Sequence, residues 1–273
     1  MTGSLSPEQW LQRLGLDRIP LATPAGLFDL VGAYRRAIPF ENLDVLAGLP
    51  MATGLEAIAE KIVANGRGGW CYELNTLFAE ILGQTGFEVA YRLSRVAYRR
   101  PHPGPLTHLV LFVEMAGGPW LVDVGFGGPG PTGPLLLKEG ETRLEDGARF
   151  RIDFARSGEI RLYRWIEADW ASLYEIAPLA VQPIDLEMAS HFLSTWEQSP
   201  FRKHFMCVAH DGEGNWTLED GALVRRDACW ASSIRTPLRD AAHLHATLES
   251  TFRLRVPQGL ARAAWRRARG EAD

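Results

Sequence analysis

Arg67-Gly68-Gly69-Trp70-Cys71-Tyr72-Glu73-Leu74-Asn75 sets a lone cysteine directly after a glycine-bearing turn. Apolar residues follow at Leu74, Leu77, Phe78, Ile81 and Leu82, a spacing that describes one face of a helix, so Cys71 falls in that helix's first turn. The unpaired N–H groups and positive dipole end of a helix start favour a thiolate over a thiol. The two glycines add little bulk, so a substrate could approach the sulfur closely. A buried, inert structural cysteine is the competing reading, because free cysteines are commonly interior. Partners elsewhere in the chain decide between the two.

Upstream of this helix the chain reads as helical. Ser6-Pro7-Glu8 is a cap, proline and acid start leading into Trp10, Leu11 and Leu14. Thr23-Pro24 opens a second helix through Leu27, Leu30, Val31 and Tyr34, Pro39 interrupts, and Ile38-Pro39-Phe40-Glu41-Asn42-Leu43 opens a short third segment. Leu55, Ile58, Ala59 and Ile62 form another helical stripe that ends near Asn65-Gly66. From Phe87 the texture changes to short β-runs at 89–96, 108–114, 120–124, 150–154, 160–165 and 173–176. Residues 99–105 are proline-rich, and 125–134 hold five glycines and three prolines. Short strands with closely spaced turn signals point to a sandwich or barrel. Pro183 starts a helix through Leu186, Met188, Phe192 and Leu193, and short strands follow near 205–208, 216–218 and 222–224. Helices follow Pro237 and Pro257, and the Arg- and Ala-rich tail from Arg262 reads as a solvated helix end. Three domains are expected: 1–85 carrying the cysteine, a β domain over 86–185, and an α/β segment over 186–273.

Composition narrows the class. With 273 residues, 46% hydrophobic and 23% charged, the chain is an ordinary globular protein able to bury a large core. A net charge of −4 argues against a nucleic-acid partner. Its basic residues are nearly all arginine, with lysine only at 61, 138 and 203, which reads as genomic bias. Cys71, Cys207 and Cys229 form a sparse set without a close pair, which argues against a disulfide framework or zinc cluster and for a reducing cytoplasm. Met1-Thr2-Gly3-Ser4-Leu5-Ser6-Pro7 lacks the basic and apolar regions of a signal peptide, and no run is long enough to span a membrane.

Of seven histidines, only His108 lies at the mouth of a clear strand, in Thr107-His108-Leu109-Val110-Leu111-Phe112-Val113. Asp123 sits within the otherwise apolar Trp120-Leu121-Val122-Asp123-Val124, where a carboxylate is costly unless paired. Adjacent antiparallel strands could bring the two side by side, since neighbouring strands lie about 5 Å apart. A thiol, a base to take its proton and an acid to orient the imidazole would then be complete. A Cys/His/Asp set could also hold Zn²⁺, but CxxC and HxxxH spacings are missing, so no metal is expected. The run Gly125-Phe126-Gly127-Gly128-Pro129-Gly130-Pro131-Thr132-Gly133 reads by composition as a surface loop and is neither a Walker loop nor a dinucleotide fingerprint. Its place after the candidate acid suggests backbone N–H groups that could hold a phosphate or an acyl oxygen.

The cysteine stretch, Thr107-His108 and Val122-Asp123-Val124-Gly125-Phe126-Gly127, with Ile38-Pro39-Phe40-Glu41-Asn42-Leu43 upstream, resemble the arylamine N-acetyltransferases. The resemblance implies an α+β fold: an N-terminal helical bundle, a central antiparallel β-barrel and a C-terminal α/β lid, with a thiol-protease-like Cys-His-Asp core. It implies acetyl transfer from acetyl-CoA, a co-substrate rather than a tightly bound cofactor, to an arylamine or arylhydrazine. Cys71 would be nucleophile, His108 base and acid, and Asp123 the orienting carboxylate. Phe40, Phe126 and Phe205 would line the acceptor pocket. Thr107, Gly127, Gly128 and Gly130 would approach CoA, and Arg67 and Glu41 would brace the site or form a structural ion pair. A cytoplasmic monomer or homodimer is expected. Three alternatives share parts of the pattern: a macrolactam-forming amide synthase, a papain- or transglutaminase-like thiol enzyme, and a non-enzymatic scaffold.

Overall fold

The Ile38–Leu43 and Arg67–Cys71 stretches, read separately in the sequence, are hydrogen-bonded to each other. In the computed structural model, which describes residues 5–271 apart from 52 and 220, the Glu41 N–H donates to the Gly69 carbonyl at 2.9 Å. Residues 1–4, which the signal-peptide argument used, lie outside the described residues.

Helix α1 (Pro7–Leu14) starts with a reciprocal cap, in which the Gln9 N–H donates to Ser6 Oγ and the Ser6 N–H to Gln9 Oε1. Such a cap is worth about 1 kcal/mol. Thr23 caps α2 (Pro24–Ala37) from one side only, its hydroxyl accepting from the Gly26 N–H at 3.2 Å. Next come strand β1 (Phe40–Glu41), α3 (Leu43–Ala47), and α4 (Leu55–Ala59), which runs on as a π-turn through Glu60–Ala64. Helix α5 (Cys71–Thr85) begins at the cysteine and ends on Gly86 in the left-handed conformation.

The central unit is an eight-stranded antiparallel sheet made of β2 (Glu88–Val96), β3 (Leu106–Met115), β4 (Gly118–Val122), β5 (Leu135–Leu136), β6 (Gly140–Arg143), β7 (Arg149–Phe154), β8 (Ile160–Ile166) and β9 (Asp169–Ile176). Its order is β5-β4-β3-β2-β9-β8-β7-β6, a near-barrel wrapped around an apolar interior. Alternation sends β3 side chains to two cores. Val110 and Phe112 enter the interior with Leu121, Phe150, Leu162 and Tyr174. Leu109, Leu111 and Val113 pack outward against Leu74, Leu77, Phe78 and Ile81 of α5. The sheet therefore fixes where α5, and with it Cys71, can sit.

After α6 (Pro183–Thr195), a second antiparallel sheet contains β10 (Cys207–His210), β11 (Asn215–Glu219), β12 (Ala222–Arg226) and β13 (Ser232–Pro237), in the order β1-β10-β11-β12-β13. Helices α7 (Ala241–Ser250) and α8 (Gln258–Ala268) cover it. Three local expectations change. Residues 40–41 are an edge strand of the C-terminal sheet, with Phe40 opposite Val208. Short strands β5, β6 and β13 carry too little periodicity to be seen in the sequence. The arginine-rich tail is no solvated end: Ala261, Ala264 and Trp265 are buried against Leu43, Phe205 and Phe252. Among the described residues no helix is long and apolar enough to cross a membrane.

Candidate active site

Cys71 is the first residue of α5, at a level of the helix where backbone N–H groups have no intrahelical partner. Glu73 closes one of these groups by accepting from the Trp70 N–H at 3.2 Å. Gly68 and Gly69 do not clear a path for substrate. A Cβ on Gly68 would lie 2.3 Å from the Pro39 carbonyl oxygen, so glycine is needed for the turn to run beside β1.

His108 and Asp123 project to the inner face of the near-barrel. In the β3–β4 register Leu111 faces Val122 and Phe112 faces Leu121, so continuing the ladder puts Asp123 opposite Val110, diagonal to His108. Asp123 itself lies one residue past the end of β4 rather than within it, and the chain turns there. His108 Nε2 donates to Asp123 Oδ2 at 2.7 Å, and the imidazole's other side takes the hydrogen bond with Cys71. The sequence-predicted trio is thus assembled, with all three side chains buried.

Burial by itself would disfavour a charged imidazole. The charge and hydrogen bond of Asp123, aided by Cys71, outweigh it and push the His108 pKa up to about 10. Burial likewise opposes the Asp123 carboxylate, yet His108, the Gly125 N–H and Asn75 hold its pKa below the usual value. The geometry thus favours a charged imidazolium held between Asp123 and the Cys71 sulfur. Asn75 is the supporting residue that sequence reading missed as such. Its amide donates to the Leu109 carbonyl at 2.8 Å and to Asp123 Oδ1 at 3.3 Å, and its oxygen accepts from Val124 N–H at 3.1 Å. Only its place one turn along α5 from Cys71 hinted at this. Gly125 completes the fit, because a Cβ there would lie 2.8 Å from Cys71 Cα.

Above the trio opens a cavity of about 550 Å³, large enough for a small organic molecule. Phe40, Phe126 and Phe205 all line it, as do Thr107, Gly127 and Gly128. The Phe126 ring stands edge-on to His108 at 5.2 Å. The Thr107 hydroxyl donates to the Pro105 carbonyl at 3.3 Å, and its carbonyl accepts from Tyr72. Gly130 does not line the cavity; its carbonyl accepts from Arg164 at 3.0 Å. Phe201 and Trp230 are lining residues that no sequence signal singled out. Neither Arg67 nor Glu41 faces the cavity. Arg67 Nη2 bonds Glu41 at 2.7 Å and Asp44 at 2.9 Å, and Lys61 links Asp44 to Glu73, so the network ties β1 and α3 to the start of α5. Among the described residues no group of three His, Cys, Asp or Glu side chains is arranged to hold a metal ion.

A buried cysteine beside an imidazole that can carry its proton, with a carboxylate behind it, places the protein among the cysteine-nucleophile enzymes. A family profile described as N-acetyltransferase matches residues 25–261. The arylamine N-acetyltransferase of Mycobacterium tuberculosis is 35% identical over 236 residues, 84% of this chain and 82% of that protein. The arylamine N-acetyltransferase / N-hydroxyarylamine O-acetyltransferase of Salmonella typhimurium is 34% identical over 251 residues, 90% of this chain and 88% of that one. The solved structure of Mycobacterium marinum arylamine N-acetyltransferase in complex with CoA superposes with a TM-score of 0.87 at 33% identity, over 95% of this chain and 98% of that one. The chain belongs to the arylamine N-acetyltransferase family.

Proposed function

We propose that this protein transfers an acetyl group from acetyl-CoA to the amine of an arylamine or arylhydrazine through an acetyl-Cys71 intermediate. The observation that carries the reading is the Cys71–His108–Asp123 chain at the floor of a cavity walled by Phe40, Phe126 and Phe205. The Cys71 thiolate attacks the thioester carbonyl. As the tetrahedral adduct collapses, its bond to the CoA sulfur breaks, and the departing thiolate takes a proton from the His108 imidazolium. The arylamine nitrogen then attacks acetyl-Cys71, neutral His108 accepts the proton lost by nitrogen, and Cys71 leaves as thiolate. The Cys71 backbone N–H at the helix start is a donor for the oxyanion in both steps.

Thr107, Gly127 and Gly128 would face the donor, and Gly130 would act only through the shape of its loop. The rings of Phe40, Phe126 and Phe205 would stack on an aromatic acceptor. The same reading takes the working form as a cytoplasmic monomer or homodimer acting on small molecules rather than nucleic acid, which the net charge of −4 supports.

Intact mass after mixing with acetyl-CoA alone tests the proposal. One acetyl group should appear on Cys71, be discharged by a simple arylamine or hydrazine, and be missing in Cys71→Ser. A wild-type protein that stays unmodified while its thiol reacts with iodoacetamide would instead indicate another acyl donor, as in an amide synthase or hydrolase.

A further inference from the structure

Arg164, on β8, points into the apolar interior of the near-barrel and is 1% exposed. Among the described residues no carboxylate lies within ion-pair distance of it, Asp146 and Asp227 acting only at longer range, and its Nε has no hydrogen-bond partner. A well-packed apolar side chain at such a position is commonly no worse for stability than a buried charge. What the guanidinium does reach is specific. Nη1 donates to the Gly130 carbonyl at 3.0 Å and Nη2 to the Ala228 carbonyl, while its Cζ lies 5.2 Å from the Phe150 ring centre and 5.5 Å from that of Trp230. Gly130 closes the loop that carries Phe126, Gly127 and Gly128. Ala228 belongs to the turn between β12 and β13 that carries Trp230, whose φ of 67° is a left-handed conformation that a bulky side chain adopts only when held. Arg226 adds a second grip, donating to the Trp230 carbonyl at 3.1 Å. Both segments contribute lining residues to the cavity above Cys71, and they connect strands of different sheets.

We infer that Arg164 is a positioning residue that sets the width of the substrate cavity, by tying the glycine-rich loop of one sheet to the Trp230 turn of the other. The inference rests on the acyl-transfer reading above and concerns binding rather than bond-making. Asp123 is held by His108, Asn75 and the Gly125 N–H, so the catalytic chain stands without Arg164. A donor that needs both walls, such as acetyl-CoA, should depend on Arg164. A small activated ester, which needs only Cys71 and His108, should not.

The test compares wild type, Arg164→Met and Arg164→Lys for steady-state acetyl-CoA turnover and for the p-nitrophenol burst from p-nitrophenyl acetate, per titrated Cys71. Arg164→Met should raise KM for acetyl-CoA about tenfold or more while the burst rate stays within about twofold. Lysine, able to hold one carbonyl without the fork, should fall between. Trp230→Leu should also raise KM, and combined with Arg164→Met should raise it by less than the product of the two effects. A folded Arg164→Met protein with unchanged KM, or one whose burst and turnover fall in step, overturns the inference. Should Arg164→Met not fold, an unchanged KM in Arg164→Lys overturns it alone. Failure of the acyl-transfer reading itself would show differently, as a wild type that bursts with the ester but forms no adduct with acetyl-CoA.

Discussion

At the scale of single residues, the candidate site is built around one buried His108–Asp123 pair that is expensive to break. Asp123 is fully committed: Oδ2 to His108, and Oδ1 to the Gly125 N–H and Asn75. Asp123→Asn would keep the shape but offer the imidazole the wrong hydrogen-bonding partner, and turnover should drop by about 10⁴-fold, as in triads generally, with thermal stability changed far less. Stopped-flow acetylation beside a melting curve separates the two effects. The same pair sets a pH signature. The folded pKa of His108, about 10, lies above its ordinary 6.5, so its contribution to stability is complete below pH 6.5 and is lost as pH rises toward 10. Asp123, shifted downward, acts oppositely: its contribution is present above its unfolded pKa and lost as pH falls through the folded one. Urea unfolding of wild type minus His108→Gln should therefore show a difference that shrinks between pH 7 and pH 10. A constant difference would mean that the imidazole is not held charged.

At the scale of elements, the start of α5 is anchored by a buried charge network rather than by its own cap. Arg67 holds Glu41 and Asp44, Lys61 holds Asp44 and Glu73, and Glu73 reaches back to the Trp70 N–H. Removing one member strands charges that are nearly inaccessible. Arg67→Ala should cost about 3–5 kcal/mol, the range for breaking a buried pair from one side. Chemical denaturation measures that cost. Slower acetylation of Cys71 should accompany it even where the protein remains folded, because the approach to α5 then keeps only its backbone bonds to β1 and loses the side-chain tie. The helix and its cysteine were legible from residues 67–82 because apolar spacing and the glycine turn are local signals. The anchor was not legible beyond a possible Arg67–Glu41 pair, because Asp44, Lys61 and Glu73 look like ordinary surface charges until the π-turn and α3 bring them together.

At the scale of the whole molecule, the three sequence segments share structure. Residues 40–41 form the edge of the C-terminal sheet, and Leu43 and Leu46 of α3 lie in the same core as Leu244, Phe252 and Trp265. The core around α5 includes Leu109 and Val122 from the near-barrel and Ala189 and Leu193 from α6. Melting in calorimetry should give a single cooperative transition with matching calorimetric and van't Hoff enthalpies. Resolved transitions for the N-terminal helices and the C-terminal sheet would contradict the shared cores.

The sequence by itself determined the pieces whose information is local: the helix at Cys71, the strand that starts near His108, the strand that leads up to Asp123, and the glycine-rich loop that follows. Their residue types alone imply a thiol, a base and an acid. Tertiary structure alone decided which polar groups support that chemistry. Asn75 reaches Leu109 and Asp123, Arg164 reaches Gly130 and Ala228, and Trp230 turns toward the cavity in a left-handed backbone. None of these follows from neighbours in the chain, because each hydrogen bond joins segments far apart in sequence, and only the packing of two sheets and a helix fixes their separation.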